Sequence, residues 1–112
     1  MAIYLQEIAA IDRGGKEKYL ELLRTRWVPF AERSRGMKCL WLGSTIGSSA
    51  RWPETMAIWE LADWDRYAEA CSRLYTDSTD DEELRELWRE ASGLRLRSRS
   101  ETLVGASFSP TL

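Results

Sequence analysis

Along this chain the spacing of apolar residues switches between the two-residue period of a strand and the helical period in a set order. That order limits the folds available. Residues Ala2 to Ile11 read as a strand, with Ile3, Tyr4, Ile8 and Ile11 interrupted only by Gln6 and Glu7. Asp12-Arg13-Gly14-Gly15 reads as a turn whose glycines are free to take positive φ. A helix follows from about Lys16, with Tyr19, Leu20, Leu22, Leu23, Trp27 and Phe30 at helical spacing and Glu17, Lys18, Glu21 and Arg24 on the other face. Pro29 removes a backbone donor, so this helix is expected to kink or weaken near Thr25–Trp27 and to end by Gly36. Met37 to Ile46 is a second strand, with Cys39 and Trp41 expected on one face and Leu40 and Leu42 on the other. A loop of small residues, 47–53, leads to a third strand from Thr55 to Leu61, suggesting an antiparallel hairpin. Asp63 is positioned to cap a helix over Trp64, Tyr67, Ala68, Cys71 and Leu74. The acidic run from Asp80 to Glu83 opens another helix with an apolar stripe of Leu84, Leu87, Trp88 and Ala91. Arg97 to Phe108 reads as the last strand.

The order β-α-β-β-α-β, with its second helical region split, is the ferredoxin-like arrangement of the α+β class. It builds a four-stranded antiparallel sheet with helices on one face. The strands carry too many apolar residues to leave the other face wet, so a homodimer is expected, its two sheets packed into an α+β barrel. The chain divides into one domain over residues 1–108 and a short C-terminal tail over 109–112.

Its 112 residues include six tryptophans and no histidine. Without histidine there is no imidazole general base, no histidine metal ligand and no histidine–haem bond. Cys39 and Cys71 show no metal-type spacing and read as free thiols. The acids at 80–83 open a helix and lack the alternating ligands of a chelating loop. No metal and no cofactor is expected. A net charge of −2, with no basic patch interleaved with aromatics, argues against nucleic acid as a partner. The apolar runs are too short to span a bilayer and the N-terminus lacks a signal-peptide pattern, so the expectation is a cytoplasmic protein with no membrane partner.

Several stretches carry a family likeness: Ile3-Tyr4-Leu5-Gln6-Glu7, then Gly14, then Tyr19-Leu20-Glu21-Leu22-Leu23, and Trp27-Val28-Pro29. Further along come Thr45-Ile46-Gly47, Met56-Ala57-Ile58-Trp59-Glu60-Leu61 and Arg97-Ser98-Arg99-Ser100-Glu101. Through these the chain resembles the NIPSNAP-like branch of the dimeric α+β barrel superfamily over nearly its whole length. The resemblance implies a fold; the superfamily spans cofactor-independent monooxygenases, haem-degrading enzymes, muconolactone-type isomerases and proteins with no known activity. Two departures stand out. Where relatives often carry His two residues before the third-strand Trp and Tyr two after it, this chain has Ala57 and Leu61 around Trp59. If that face lines a cavity, polar groups have been exchanged for apolar ones, which favours a hydrophobic ligand.

The aromatic set of Tyr4, Trp41, Trp52 and Trp59 either fills the core and dimer seam or lines a cavity for a flat apolar ligand. Trp64 and Trp88, on helix stripes, read as core. Trp27 does too, although Pro29 beside it could open a cleft. Glu7 and Glu60 lie in strands among apolar neighbours, where a carboxylate gains a raised pKa and can carry protons. The plainer reading is a strand charge paired at the sheet edge, with Glu60 pointing away from Trp59. Arg95, Arg97 and Arg99 alternate and so share one side of an extended strand, which could contact a phosphate or carboxylate but is more simply a solvated, ion-paired one. Cys39 has no group nearby in sequence to activate it.

The resulting expectation is a small cofactor-independent enzyme of isomerase, cyclase or monooxygenase type. It would act on a hydrophobic organic molecule in a pocket between sheet and helices. Glu7, then Glu60, would carry the proton with Tyr4 as auxiliary donor. Trp41, Trp59, Trp52, Ala57, Leu61, Cys39 and Trp27 would line the substrate site. The alternative is a non-catalytic ligand-binding or assembly protein of the same fold.

Overall fold

Residues 1–46, 53–74 and 82–105 are described by a computed structural model, apart from the side chains of Arg13, Arg73 and Leu74. Trp52, the loop around it, the helix opening at 80–81 and the expected tail lie outside the described residues. Four strands, β1 (Ile3–Ile11), β2 (Lys38–Ser44), β3 (Glu54–Leu61) and β4 (Arg95–Leu103), form one sheet in the order β2-β3-β1-β4. Every pairing is antiparallel. This is the ferredoxin-like order, with the first strand central and the last at an edge. No described helix is long and apolar enough to cross a membrane.

Residues 16–34 form one continuous helical run: α1 (Lys16–Leu22), a π turn over Leu23–Trp27, and α2 (Val28–Ser34). The π turn falls where Pro29 was expected to weaken the helix. A proline has no N–H to give to the preceding turn, and the extra residue of a π turn absorbs the mismatch. Thr25 Oγ1 donates to the Glu21 carbonyl at 2.7 Å across the same stretch. Gly36, at φ +64°, then turns the chain toward β2 in a conformation other residues seldom adopt. The Asp12–Gly15 turn needs no positive φ; it is a 3₁₀ turn. A Cβ on Gly15 would stand 2.9 Å from Leu94 Cδ2, so a larger residue there would have to push the end of that leucine side chain aside.

Asp63 caps α3 (Trp64–Leu74) by accepting from the Arg66 N–H at 2.9 Å. The last helix, α4 (Glu82–Ser92), buries Leu84, Leu87 and Ala91, the expected stripe. Two ion pairs, Arg26–Glu90 at 2.6 Å and Arg33–Glu83 at 3.1 Å, link it to the first helical run. Such surface pairs add little stability, so packing holds these elements together. The core lies between the helices and the sheet, and its largest fully buried side chains include Trp27, Trp59, Phe30 and Ile3.

Two register shifts decide which side chains face that core. One lies between Cys39 and Trp41 in β2, the other opposite Ala10/Ile11 in β4. Each adds a residue to one strand, and an added residue reverses the side of the sheet to which the following residues point. In β2 it leaves Cys39 opposite Trp59 and Leu42 opposite Ala57, while Trp41 sits opposite Ile58. Cys39 and Trp41 are thus on opposite faces, contrary to simple alternation. In β4 it leaves Arg95 opposite Ile11 and Arg97 opposite Ala10. The expected shared side for Arg95, Arg97 and Arg99 is broken in the same way.

Candidate functional site

A cleft of about 450 Å³ opens on the helix side of the sheet, above β1 and the edge strand β4. Its volume lies within the range of small-molecule sites. It exists because β4 offers the helices nothing to bury. Ser98 and Ser100, opposite Ala9 and Glu7, are exposed, so that part of the sheet has no helix packed on it. The walls come from Tyr19 and Leu23 of the first helical run, Trp27 in the π turn, and Trp88 of α4.

Glu7 stands at the centre. Strand alternation places it with Ile3, Leu5, Ala9 and Ile11 on the core face, opposite Ala57 on one side and Ser100 on the other. Its Oε1 accepts two indole N–H bonds, from Trp59 Nε1 at 2.6 Å and Trp27 Nε1 at 3.1 Å. The other carboxyl oxygen is left to the cleft. Protein packed around the carboxyl pushes its pKa up from the usual 4.5, against the two indole bonds and the positive charge of Arg95, which pull it down. Burial also raises the Tyr19 phenol, partly offset by Arg95 beside it.

Arg95 is turned inward by the β4 bulge. Its guanidinium lies over the Trp88 ring, 5.0 Å from the ring centre. Trp88 is in turn 5.0 Å from Trp27, tilted by 58°, and Trp27 meets Trp59 edge-on at 5.9 Å. One aromatic wall thus runs from the cation to the carboxylate. The cleft is not purely apolar: Glu7, Tyr19, Thr55, Arg95, Ser98, Arg99 and Ser100 bring polar groups to it beside the indoles.

Of the residues singled out in the sequence, Glu7, Trp27 and Ala57 line this cleft. Trp59 is completely buried, so it presents no face to a ligand and serves instead to hold Glu7. Leu61 is sealed in the core. Cys39 packs at the core margin with its thiol pKa raised by burial, away from the cleft. Tyr4 and Glu60 are paired across β1 and β3 on the opposite face of the sheet, too far around to act on a ligand beside Glu7. Trp41 is on that opposite face as well, 50% exposed, lying over Gly43, because the β2 bulge turns it away from Trp59. The two helix tryptophans also depart from their expected core places. Trp88 is a half-buried cleft wall, and Trp64 is 53% exposed, edge-on to Tyr67.

Tyr19, Trp88 and the serines were not read as site residues from the sequence, and Arg95 entered only as one of three alternating strand arginines. One signal was present: the small polar residues Ser98 and Ser100 alternate along a strand face where a covered sheet would need apolar ones. Among the described residues, no three His, Cys, Asp or Glu side chains come together as a metal site.

No protein-family model matches the chain, and no curated protein matches it in sequence. Solved structures do match. A NIPSNAP family protein from Agrobacterium tumefaciens superposes with a TM-score of 0.79 at 22% identity, covering 98% of each chain. A NIPSNAP-like domain protein from Burkholderia xenovorans gives 0.78 at 18% identity, over 99% of this chain and 90% of that one. A Lactobacillus acidophilus protein proposed to be a monooxygenase gives 0.64 at 16% identity, over 92% of this chain and 44% of its own length. The chain has a NIPSNAP-like ferredoxin-like fold.

Proposed function

We propose, taking that NIPSNAP-like fold as the frame, that the protein is a cofactor-independent enzyme whose chemistry is proton transfer on a small organic molecule bound in the cleft. The observation that carries this reading is the Glu7 carboxyl, held by two indole N–H groups with one oxygen toward a cleft of small-molecule size. Indoles donate but cannot accept, so they fix the carboxyl without taking its proton. Burial keeps its protonated and ionised forms closer in energy at neutral pH than those of a surface carboxylate. In an isomerisation, Glu7 takes a proton from carbon, the C–H electron pair moves into a conjugated system, and the same carboxylic acid returns the proton at another carbon. Nothing else is consumed. Deprotonation at carbon is also the first step toward cyclisation, or toward reaction of the carbanion with dioxygen, so the three expected reaction classes share this residue.

The test begins with binding. Trp27 and Trp88 line the cleft, so a ligand should quench intrinsic fluorescence saturably, and Trp88→Phe should remove most of that response. No response from a folded protein, across a panel of aromatic, terpenoid and polyketide-like compounds, would sink the reading. Saturable binding with no chemical change in the bound compounds would make the protein a carrier.

We also propose that the second sheet face is covered by a second copy. Trp41, Met56 and Ile58 share that face with buried Ile8, and a partner sheet is the simplest apolar cover. Light scattering should give twice the 13.0 kDa chain mass, and Trp41→Glu should shift it toward one. A wild-type protein of single-chain mass at all accessible concentrations would refute the dimer.

A further inference from the structure

We infer that the cleft takes a small planar organic acid, and that Arg95 binds its carboxylate. This rests on the proton-transfer reading above and names the substrate class for that same site. The argument starts from where Arg95 is and what it lacks. Other arginines around it have carboxylate partners: Arg26 pairs with Glu90, Arg33 with Glu83, and Arg99 with Glu54 and Glu101. Among the described residues, no carboxylate lies within ion-pair distance of Arg95. Its charge is felt by Glu7, yet the two groups do not touch. The strand bulge turns this half-buried cation inward, and the Trp88 face holds it from behind. Part of its fork meets the Tyr19 phenol, and the rest is left to the cleft beside the Ser98 and Ser100 residues.

Geometry and charge select the ligand. A guanidinium presents parallel N–H donors that match the two oxygens of a carboxylate. A phosphate dianion would bring two negative charges beside the Glu7 carboxyl, against Arg95 and an Arg99 already paired with Glu54 and Glu101. A carboxylate monoanion brings one negative charge fewer to the same pair, the charge that Arg95 can offset. From that anchor the half-buried Trp88, backed by the buried Trp27 that bonds Glu7, offers indole surface to a flat, conjugated body. Carboxylate on Arg95, conjugated carbons along the indoles and a C–H at the free oxygen of Glu7 is the order the residues impose.

The experiment compares trans-cinnamate with its neutral amide, trans-cinnamamide, by following indole N–H signals of the ¹⁵N-labelled protein. Cinnamate should move the Trp27 and Trp88 signals with a Kd at least about tenfold below that of the amide, since a charge-assisted pair discriminates by about that much. Arg95→Gln should abolish the difference, with unmoved Trp64 signals certifying the fold. Arg97→Gln, which removes an exposed charge from the other face, should keep it. Equal affinities for acid and amide at the cleft indoles, or a preference that survives Arg95→Gln, would overturn the acid-binding inference and leave the proton-transfer reading standing. If neither probe moves a cleft indole, or only Trp41 and Trp64 respond, both fail. Glu7→Gln separates the two from the other direction, since it should retain the preference for the acid while losing turnover.

Discussion

Trp27→Ala is expected to lower the unfolding midpoint by roughly 15–20 °C, from a loss of about 3–5 kcal/mol. The indole is 1% exposed and touches Phe30, Trp59 and Trp88, so its removal leaves a hole that neighbours on three elements would have to fill. It also withdraws one of the two donors on Glu7, in a site where burial already opposes the charge. Against a total stability of about 5–15 kcal/mol typical of such domains, that loss is a large part of the whole. Trp64→Ala is the matched comparison. Being 53% exposed, that side chain should cost no more than about 1 kcal/mol. Thermal melts followed by circular dichroism check both; equal losses at the two positions would contradict the packing described for Trp27.

Glu7→Gln should separate stability from activity in opposite directions. Once a substrate is found, turnover should fall by about 10²–10⁴-fold, because the amide cannot carry a proton. Stability should rise. A carboxyl whose folded pKa is raised favours the folded state fully below its ordinary value of 4.5. That contribution is lost as pH climbs from there through the folded pKa. Wild-type stability therefore falls across this window while the Gln variant does not, and the variant melts at the higher temperature at pH 7. Gln keeps an oxygen of similar shape for both indole N–H groups, so the site need not rearrange. Melts across pH 4 to 8 test this. A variant less stable than wild type at neutral pH would mean that the ionised carboxylate is favoured by its setting.

Element order was legible because each signal was local and strong. The proline-weakened helix, the Asp63 cap and the Leu84–Leu87–Ala91 stripe each rest on chemistry within a few residues. Glu7 was legible as a carboxylate among apolar strand neighbours. Its two indole partners were not, since Trp27 and Trp59 lie 20 and 52 residues away in sequence and converge only through the fold. Trp41 and Arg95 were misplaced for one shared reason. Alternation assigns faces by counting along a strand, and each strand contains an extra residue that a count cannot reveal. The apolar pocket suggested by the sequence rested on Ala57 and Leu61 beside Trp59, whereas the polar groups of the cleft include Arg95, Ser98 and Ser100 of β4.

The bulge in β4 makes the identity of the cleft's cation a matter of arithmetic. With the same sequence on a straight ladder, Leu96 would face the cleft and Arg95 would lie on the face of Arg97 and Arg99, whereas deleting Leu96 would remove the extra residue and leave Arg95 opposite Ile11, still turned inward. Loss of the bulge without any change of sequence would thus exchange the cleft's cation for a leucine. Two relatives with the same arginines, aligned without a gap, could therefore bind different molecules.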